Sequence, residues 1–507
     1  MRHPALRSAR RLVFLLLVLA AAPPAAGSES RDPRANYDRD FSRTLPVKAG
    51  TRLEIEHSQG TLRIGTHALP EVRIKAKITV SSSDPDGAQK FGEGIVVTVE
   101  DTGSAIFVRT KYPEKTWHFP GGGSISYSVD IDVTMPETMA LSARNKFGDL
   151  NVVNLNAAAV LVNANGQLSF TDGRGRQKLE NAFGSITVNR NAGEVEISGS
   201  NGAVVATDID GPVGVRNRFG SVQIRKAKGA VNLNTSNGDV LVEEVTGTAS
   251  LTGSFGRIEV RDVGGALEVR NANGAVHVRD AKGSANLHTS FAEVDASGIP
   301  GDATVVDDNG SIMLANVGGK VDARGSFGKI SVTQARKDVR VVGNNSGVSL
   351  SDVGGAASVS TSFGFVEATR IEGDLTVDSS NGAVRASAIK GGARVTTTFA
   401  PVALDGIAGR VEVDNQNGSI EVRGLPGAGK CSPVTLKGSF APIRLYLSEN
   451  VGYDVSARTS FGKVSSQIPL TVTGSTSSDS LSGKIGDGKC PLTLDDSNGN
   501  IEILRGK

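Results

Sequence analysis

The length, composition and charge of this chain exclude several classes of protein. Its 507 residues include 62 glycines, whereas aromatic residues make up only 5 %, so a compact core built on large rings is excluded. Hydrophobic residues make up 38 %, which is too many, and too regularly placed, for a disordered chain. The formal net charge is only +2 and charged residues are scattered singly, so we expect no nucleic-acid partner.

The first 27 residues have the pattern of a secretory signal peptide. Four arginines precede an apolar run from Leu12 to Ala22, which is too short to span a membrane comfortably. Small residues follow up to Gly27, so we expect residues 1–27 to be cleaved on export, to the periplasm or the cell surface. An uncleaved anchor is the alternative. No cysteine lies directly after the apolar run, so no lipid anchor is expected. Once residues 1–27 are cleaved, no transmembrane anchor is expected either.

Residues 28–146 precede the regular part of the chain. Residues 28–45 are polar and charged, and we predict a flexible segment there. Residues 46–146 contain alternating segments typical of strands, such as Val72–Ala76, and are expected to form a β-rich cap over the first edge of the repeats. The sequence Asp84-Pro85-Asp86-Gly87 indicates a turn.

An 18-residue repeat begins at Phe147 and is expected to occupy residues 147–507, with an irregular end from about residue 424. Fifteen consecutive steps of 18 follow without insertion, which is the signature of a repeat architecture. The opening residues alternate between phenylalanine and asparagine: Phe147, Asn165, Phe183, Asn201, Phe219, Asn237, Phe255, Asn273, Phe291, Asn309, Phe327, Asn345, Phe363, Asn381, Phe399 and Asn417.

Each unit has the pattern of two short strands. Counted from its Phe or Asn as position 1, apolar residues occupy positions 4, 6, 9, 13 and 15, as in Ile258, Val260, Val263, Leu267 and Val269. The alternation indicates strands, and the glycines at positions 2 and 11 indicate turns. One unit cannot bury these side chains alone, so the units must stack. We therefore predict an all-β protein, a β-solenoid of 18-residue two-strand units; a β-sandwich is the alternative.

The alternation of Phe and Asn suggests how many units complete one turn. Stacked rungs tend to place like residues above like. A turn of 36 residues would give one ladder of Phe and one of Asn, whereas a turn of 18 would stack Phe on Asn. We therefore predict 36 residues per turn, with the Phe side chains filling the core or a corner rather than binding a ligand.

The two cysteines lie in related segments near the C-terminus. Cys431 and Cys490 each follow Gly-Lys and precede a strand-like Thr-Leu pair. In an oxidising compartment two such cysteines usually pair, so we predict a Cys431–Cys490 disulfide; two free thiols are the alternative. A 36-residue turn would place them on neighbouring rungs, about 4.8 Å apart.

The sequence offers little for catalysis. Residues 424–431 resemble a phosphate-binding loop, but Cys431 replaces the Ser or Thr and a strand pattern rather than a helix follows. His277 and His288 occupy one unit without a cluster of carboxylates or cysteines, so a solvated role is favoured over metal binding. We predict no catalytic, cofactor-binding or metal-binding residues and no cofactor.

The repeat pattern resembles a known group. Its Asn/Phe-Gly-x-Ile/Val-x-Val step, the entry segment Gly60–Ile64 and the segment Val133–Pro136 resemble the bacterial putative-adhesin family of β-strand repeat proteins, a domain of unknown function, over residues 45–507. The resemblance implies a β-solenoid in an exported or surface-associated protein. It carries over no functional residue, and the regular Phe alternation departs from the family's usual Asn-Gly corners.

Three functions follow as hypotheses. The first is a non-enzymatic envelope or surface protein, adhesin-like, that presents its solenoid for binding or structural support to an unidentified protein, peptide or glycan. The second is a periplasmic envelope-stress sensor or regulator that binds a peptide or lipid. The third, a β-helix polysaccharide lyase, is disfavoured because no insertion between Phe147 and Asn417 could wall a cleft.

Overall fold

The structure is a computed structural model that describes residues 35–114, 125–427, 429–473 and 477–506. The predicted signal peptide and its cleavage site lie outside the described residues. Strand makes up 65 % and helix 2 % of the protein, which confirms the prediction of an all-β fold.

The N-terminal part contains nine strands and one helix. Their bounds are β1 Ala35–Pro46, β2 Arg52–Gln59, β3 Leu62–His67, β4 Glu71–Ser82, α1 Pro85–Gly94, β5 Val96–Asp101, β6 Ala105–Lys111, β7 Ile125–Pro136, β8 Leu141–Phe147 and β9 Leu150–Val153.

The central part follows the 18-residue repeat. Its bounds are β10 Ala159–Asn165, β11 Leu168–Arg174, β12 Gln177–Phe183, β13 Ile186–Ala192, β14 Val195–Asn201, β15 Val204–Asp210, β16 Val213–Phe219, β17 Val222–Ala227, β18 Val231–Asn237, β19 Val240–Val245, β20 Ala249–Gly253, β21 Ile258–Val263, β22 Leu267–Asn271, β23 Val276–Ala281, β24 Ala285–Thr289, β25 Val294–Ile299, β26 Ala303–Asp307, β27 Ile312–Val317, β28 Val321–Ala335, β29 Val339–Val353, β30 Ala357–Thr361, β31 Val366–Ile371, β32 Leu375–Ser379, β33 Val384–Ile389, β34 Ala393–Thr397, β35 Val402–Ile407, β36 Val411–Asn415 and β37 Ile420–Arg423.

The C-terminal part is less regular, as the sequence predicts. Its bounds are β38 Val434–Gly438, β39 Ile443–Leu447, β40 Tyr453–Thr459, β41 Val464–Ser466, β42 Thr471–Val472, β43 Ser480–Ile485, β44 Cys490–Asp496 and β45 Ile501–Arg505.

Each 18-residue unit forms one complete turn of a β-solenoid. Leu179 of β12 lies opposite Leu161 in the rung before it and Ile197 in the rung after it, in parallel pairing. Strand β13 pairs in the same way with β11 and β15. Each turn therefore contributes one strand to each of two parallel sheets, and the solenoid has about 16 turns. At a strand spacing of roughly 4.8 Å the stack is roughly 75 Å long.

The prediction of 36 residues per turn is wrong. Asn165 lies opposite Phe183, and Phe183 lies opposite Asn201, so phenylalanine stacks on asparagine. The two strands of one unit already face each other and bury both of its apolar sets, so a second unit is not needed to close the turn. Like-on-like stacking misled the prediction because these Phe and Asn side chains lie outside the core.

The core lies between the two sheets and runs along the whole solenoid. In one unit Ile258, Val260, Leu267 and Val269 are at most 2 % exposed, whereas Glu259 between them points toward solvent. Burying each such aliphatic side chain stabilises the fold by about 1.5–3 kcal/mol. Because each unit buries only a few of them, its stability depends on the rungs on either side.

The strand at positions 4 to 9 contains a regular bend that the prediction missed. Val260 and Val263 both point inward although they are three residues apart, so the alternation must be reset between them. Asp262 resets it by adopting a left-handed backbone with φ of 52°. The same bend recurs with φ of 52° to 60° at Asn154, Asp172, Arg190, Asp208, Lys226, Glu244, Asp262, Asp280, Asn316, Gln334, Asp352, Arg370 and Ala388. The sequence signal was the step from position 6 to position 9 in the apolar pattern.

In most units a buried polar side chain at position 17 stabilises the corner where the unit begins. The Nδ2 atom of Asn271 donates to the main-chain oxygen of Gly256 at 2.8 Å, and that of Asn181 donates to Gly166 at 2.8 Å. Thr289 uses its hydroxyl for the same bond, to Gly274, at 3.0 Å. Buried main-chain oxygens need such donors, so these residues stabilise the turns from inside.

The N-terminal cap inserts one rung out of sequence order. Leu53 of β2 lies between Ile106 of β6 and Leu141 of β8. The rung formed by β2 and β3 therefore lies between the strand β6, which follows it in the sequence, and the rung of β8 that leads into the repeats. Strand β7 pairs with β3 in parallel, and β4 and β1 then add antiparallel strands. The prediction of a β-rich cap is confirmed.

Two local predictions in this region differ from the structure. Residues 35–45, expected to be flexible, belong to β1, which pairs with β4 over its full length. The predicted turn at Asp84 is the start of α1: Asp84 Oδ1 accepts from the Gly87 amide at 3.1 Å, and Pro85 occupies the first helical turn. An acidic N-cap followed by proline is a helix-start signal, which the short length of α1 concealed.

The C-terminal end also inserts a rung, formed by the last two strands of the chain. Leu492 of β44 lies between Val434 of β38 and Val455 of β40. Ile501 of β45 likewise lies between Ile443 and Val464. In sequence the terminal rung of β40 and β41 comes first, and β44 and β45 then occupy the position between it and the rung of β38 and β39.

Candidate binding surfaces

The Phe and Asn residues that open the units form a single column along one corner of the solenoid. Phe219 lies opposite Asn201 on one side and Asn237 on the other, and Phe327 lies opposite Asn345. Phenylalanines therefore recur on every second rung, roughly 9.6 Å apart.

The prediction that these phenylalanines fill the core or a corner is wrong. Phe183 is 57 % exposed and Phe291 is 65 % exposed, and the others fall between 48 % and 83 %. We call the following ten residues the phenylalanine stripe: Phe147, Phe183, Phe219, Phe255, Phe291, Phe327, Phe363, Phe399, Phe440 and Phe461. The interior is already filled by positions 4, 6, 9, 13, 15 and 17, so the corner side chain can only point outward.

The asparagines of the column fasten neighbouring rungs. Asn273 Nδ2 donates to the main-chain oxygen of Ser254 at 3.2 Å, and Asn309 Nδ2 donates to that of Ser290 at 3.0 Å. In each case the acceptor is the residue before the Phe of the preceding rung. Asn165, Asn201 and Asn381 make the same bond. On the rung between two phenylalanines, the asparagine side chain is therefore shorter and is hydrogen-bonded to the main chain of the preceding rung.

The inserted rungs continue the alternation at both ends. In sequence Phe440 and Phe461 precede Asn498, but in space Asn498 lies between them because β44 and β45 lie between the two rungs. At the other end, Gln59 opposes Phe147, and the Tyr112 hydroxyl donates to the Gln59 main-chain oxygen at 3.4 Å. Aromatic and amide residues thus alternate through rungs that the sequence presents in a different order.

The predicted disulfide is confirmed. Cys431 and Cys490 are bonded, with an S–S distance of 2.06 Å and a Cα–Cα distance of 5.3 Å. The rung argument behind that prediction was wrong, because a turn holds 18 residues rather than 36. Instead, the inserted β44 pairs directly with β38 and brings Cys490 next to the segment that leads into β38.

The opposite edge of the solenoid carries a long trough. The left-handed residues at position 8 form one wall, and the turn residues at position 10 form the other. A cavity of about 1140 Å³ extends from Asp280 to Ala408, and two further cavities adjoin it toward Thr66. We call this groove the edge trough. Sequence reasoning missed it because it depends on the left-handed bend.

Charges in the edge trough are paired across neighbouring rungs. Arg370 lies 2.6 Å from Asp352, and Lys390 lies 2.7 Å from Glu372. The Arg370 guanidinium holds the pKa of the Asp352 carboxyl well below its usual range. Exposed pairs of this kind contribute little stability, so their charges are open to compete for a polar ligand.

The other sequence candidates are placed separately. His277 Nε2 lies 3.1 Å from Glu293 Oε1 on the outer face of the solenoid. Among the residues that the structure describes, no three His, Cys, Asp or Glu side chains are grouped as a metal ion would require. The loop resembling a phosphate-binding loop leads into strand β38. Within the described ranges no helix is both long and apolar enough to cross a membrane.

Comparison with known proteins gives little beyond this geometry. No family model matches the chain, and no curated protein matches it. Among solved structures, the chain is similar to a putative cell adhesion protein from Clostridium sporogenes, at 11 % identity and a TM-score of 0.21. The match covers 44 % of this chain and 99 % of that one. At this TM-score the similarity carries no argument about function.

Proposed function

We propose that this chain is an exported, non-enzymatic protein of the cell envelope or surface, which presents its solenoid as an adhesin-like binding scaffold. The observation that carries the proposal is the phenylalanine stripe. A monomeric protein rarely exposes an apolar patch larger than about 300–600 Å², and larger patches mark interaction sites. Ten phenylalanines, each about half exposed or more, together present on the order of 1,000 Å² of ring surface along one corner, interrupted by the asparagine rungs.

The shape of the molecule supports binding rather than catalysis. The repeats run from Phe147 to Asn417 without an insertion, so the corner and the sheet faces stay straight and open. A catalytic cleft needs walls that exclude water and hold reacting groups in place. A straight column of rings gives many equivalent contacts instead, which suits a binding surface.

The test is binding of the purified mature protein to isolated envelopes of the source cells. The variant Phe255→Asn/Phe291→Asn/Phe327→Asn removes three neighbouring rings and replaces them with the residue that the same column uses on alternate rungs. We expect at least tenfold weaker binding, with no hydrolysis or cleavage of envelope glycans by either protein. Equal binding by both proteins, or glycan turnover abolished by one carboxylate substitution, would contradict the proposal.

The edge trough favours a second candidate function, a periplasmic sensor that binds an extended peptide. The trough crosses the rungs from Asp280 to Ala408 and carries both acidic and basic side chains, such as Asp352 and Arg370. Arg370→Ala would then weaken peptide binding and leave envelope binding through the phenylalanine stripe unchanged. An Arg370→Ala variant that binds peptides as the parent does would remove this candidate.

A further inference from the structure

We propose that the phenylalanine stripe is the contact surface of a homodimer, in which the stripes of two copies run antiparallel with their rings interleaved. The inference rests on the proposed function, because it assigns binding to the same surface. It goes further by naming the partner as a second copy of this chain, so that the envelope binding expected above is pairing with copies of the same chain displayed on the envelope.

The spacing of the stripe makes it complementary to itself. Phe255 and Phe291 lie two rungs apart, with the Asn273 rung between them. Their rings are separated by roughly 9.6 Å along the stack. A ring from a second copy placed over the Asn273 rung would lie about 4.8 Å from each neighbour along that axis. Aromatic pairs prefer centroid distances of about 4.5–7 Å, so one added ring fits each gap.

The asparagine rungs leave these gaps free. The Asn273 amide is tied to the main-chain oxygen of Ser254, and the Asn309 amide is tied to that of Ser290. One N–H of each amide is already bonded within its own chain, so an incoming ring leaves that hydrogen bond in place. Desolvation of the gap therefore costs less than it would with an unpaired amide.

The stripe is large enough for a stable dimer. Its exposed ring surface, on the order of 1,000 Å² per copy, compares with about 800 Å² per partner in an interface of standard size. A polymer that repeats at a different interval would contact only some of the rings. A second copy has the same interval and can contact all of them.

The flank of the stripe has few charges that would have to be desolvated. The residues directly before the column are uncharged except for Lys146, Arg218 and Asp308. On the other flank Arg257, Glu293 and Lys329 follow Phe255, Phe291 and Phe327 at two residues' distance. Interfaces combine an aromatic core that is depleted in charge with a polar rim, which is the arrangement along this corner.

Evenly spaced rings also satisfy the symmetry of a dimer. A two-fold axis brings the same patch of both copies together, so the patch must match itself when reversed. The rings are equally spaced, so the stripe has the same spacing when it is read from either end. The antiparallel arrangement therefore retains every ring-to-gap contact. It also closes the assembly at two copies, because both stripes are then covered.

Sedimentation equilibrium of the mature chain, with its disulfide intact, tests the inference. We expect the wild-type protein to have twice the chain mass at micromolar concentration. The variant Phe255→Asn/Phe291→Asn/Phe327→Asn should retain its strand circular dichroism and dissociate at least 100-fold more readily. The control Val153→Thr/Val160→Thr/Met313→Thr removes three other apolar side chains, each 39–40 % exposed, from the sheet faces, and it should stay dimeric.

Three results would overturn the inference: a wild-type protein that is monomeric at 100 micromolar, a folded triple Phe variant that dimerises as the parent does, or a control that dissociates equally. If the triple variant does not fold, the single variant Phe291→Asn should still weaken the dimer about tenfold, and an unchanged dimer would count against the inference.

Failure of the inference and failure of the proposed function give different results. A monomeric protein that binds envelopes through its phenylalanines would remove the dimer and retain the scaffold. A dimer that binds no envelope at any concentration would retain the dimer and remove the scaffold.

Discussion

Asn498 donates from its side-chain amide to the main-chain oxygen of Ser439 at 3.1 Å, across 59 residues of chain. The same bond joins Asn273 to Ser254 across 19 residues, within the regular repeat. The rung of β44 and β45 therefore makes the same contacts as the regular repeat, although it follows β40 and β41 in the sequence and lies between them and the rung of β38 and β39 in space. It also restores the alternation of Phe440, Asn498 and Phe461 along the corner.

The first prediction concerns these corner asparagines. Asn309→Ala removes a side-chain donor to the Ser290 oxygen and should lower the free energy of unfolding by about 0.5–1.5 kcal/mol. Asn345, which makes no such bond within the described chain, provides the matched control. Asn345→Ala should change stability by less, as measured by urea denaturation. Equal losses in the two variants would show that the hydrogen bond is not the cause.

The second prediction concerns the glycines of the Phe/Asn corner. A Cβ atom on Gly274 would lie 1.7 Å from the Gly256 oxygen of the preceding rung, although Gly274 does not have a positive φ. Gly274→Ala should therefore destabilise the protein by about 3 kcal/mol or more, because the rungs must separate. Gly256 combines a φ of +99° with a Cβ contact of 2.4 Å, and Gly256→Ala should be equally costly.

Gly103 separates the two causes. It has a φ of +83° but open space around its Cβ position. Gly103→Ala should cost only about 1 kcal/mol, from backbone strain alone. Thermal denaturation of the three variants measures the difference. If Gly274→Ala and Gly103→Ala have the same melting temperature, the rungs do not approach each other as closely as described.

The third prediction concerns Asp307, which stands at position 17, where the other units have Asn, Thr, Ser or Gly. Its Oδ1 accepts from the Asn309 and Gly310 amides, while its Oδ2 is buried without a partner. In the equivalent place Asn415 donates its Nδ2 to a main-chain oxygen at 2.8 Å. Burial disfavours the charged carboxylate and raises the pKa of Asp307 from 3.8 to about 6, although the Gly310 and Asn309 amides act to lower it.

The protonated carboxyl stabilises the folded state, so its contribution is fully present below pH 3.8 and is lost as the pH rises through about 6. Asp307→Asn should remove this pH dependence and stabilise the protein at pH 8 by on the order of 1–3 kcal/mol. Unfolding of wild type and variant is compared at pH 4 and pH 8, so that other titrating groups cancel. A constant difference between the two proteins across this range would show that Asp307 does not titrate there.

The fourth prediction concerns the disulfide. It closes a loop of 59 residues and joins the inserted rung of β44 and β45 to the segment that leads into β38. Reduction, or Cys431→Ser/Cys490→Ser, should destabilise the C-terminal rungs by about 2–4 kcal/mol. Because each rung contacts only its neighbours, hydrogen exchange should accelerate in β38 to β45 and stay unchanged in β12 to β20. Acceleration along the whole solenoid would show that the molecule unfolds as one unit.

Much of this protein was determined by its sequence. The 18-residue step fixed the two-strand unit, and the apolar positions identified the core residues, such as Ile258 and Leu267, because a side chain on a strand can point only to one of two faces. The related surroundings of Cys431 and Cys490 also predicted the disulfide correctly.

Three features were decided only by the tertiary structure. The number of residues per turn depended on whether one unit could close around its own core, which the spacing of Phe147 and Asn165 does not reveal. The order of the terminal rungs depended on the return of β44 into a gap between β38 and β40, a long-range pairing that no local pattern encodes. The outward direction of the phenylalanines followed from an interior already filled by smaller side chains, and this turned a predicted packing residue into the most exposed feature of the corner.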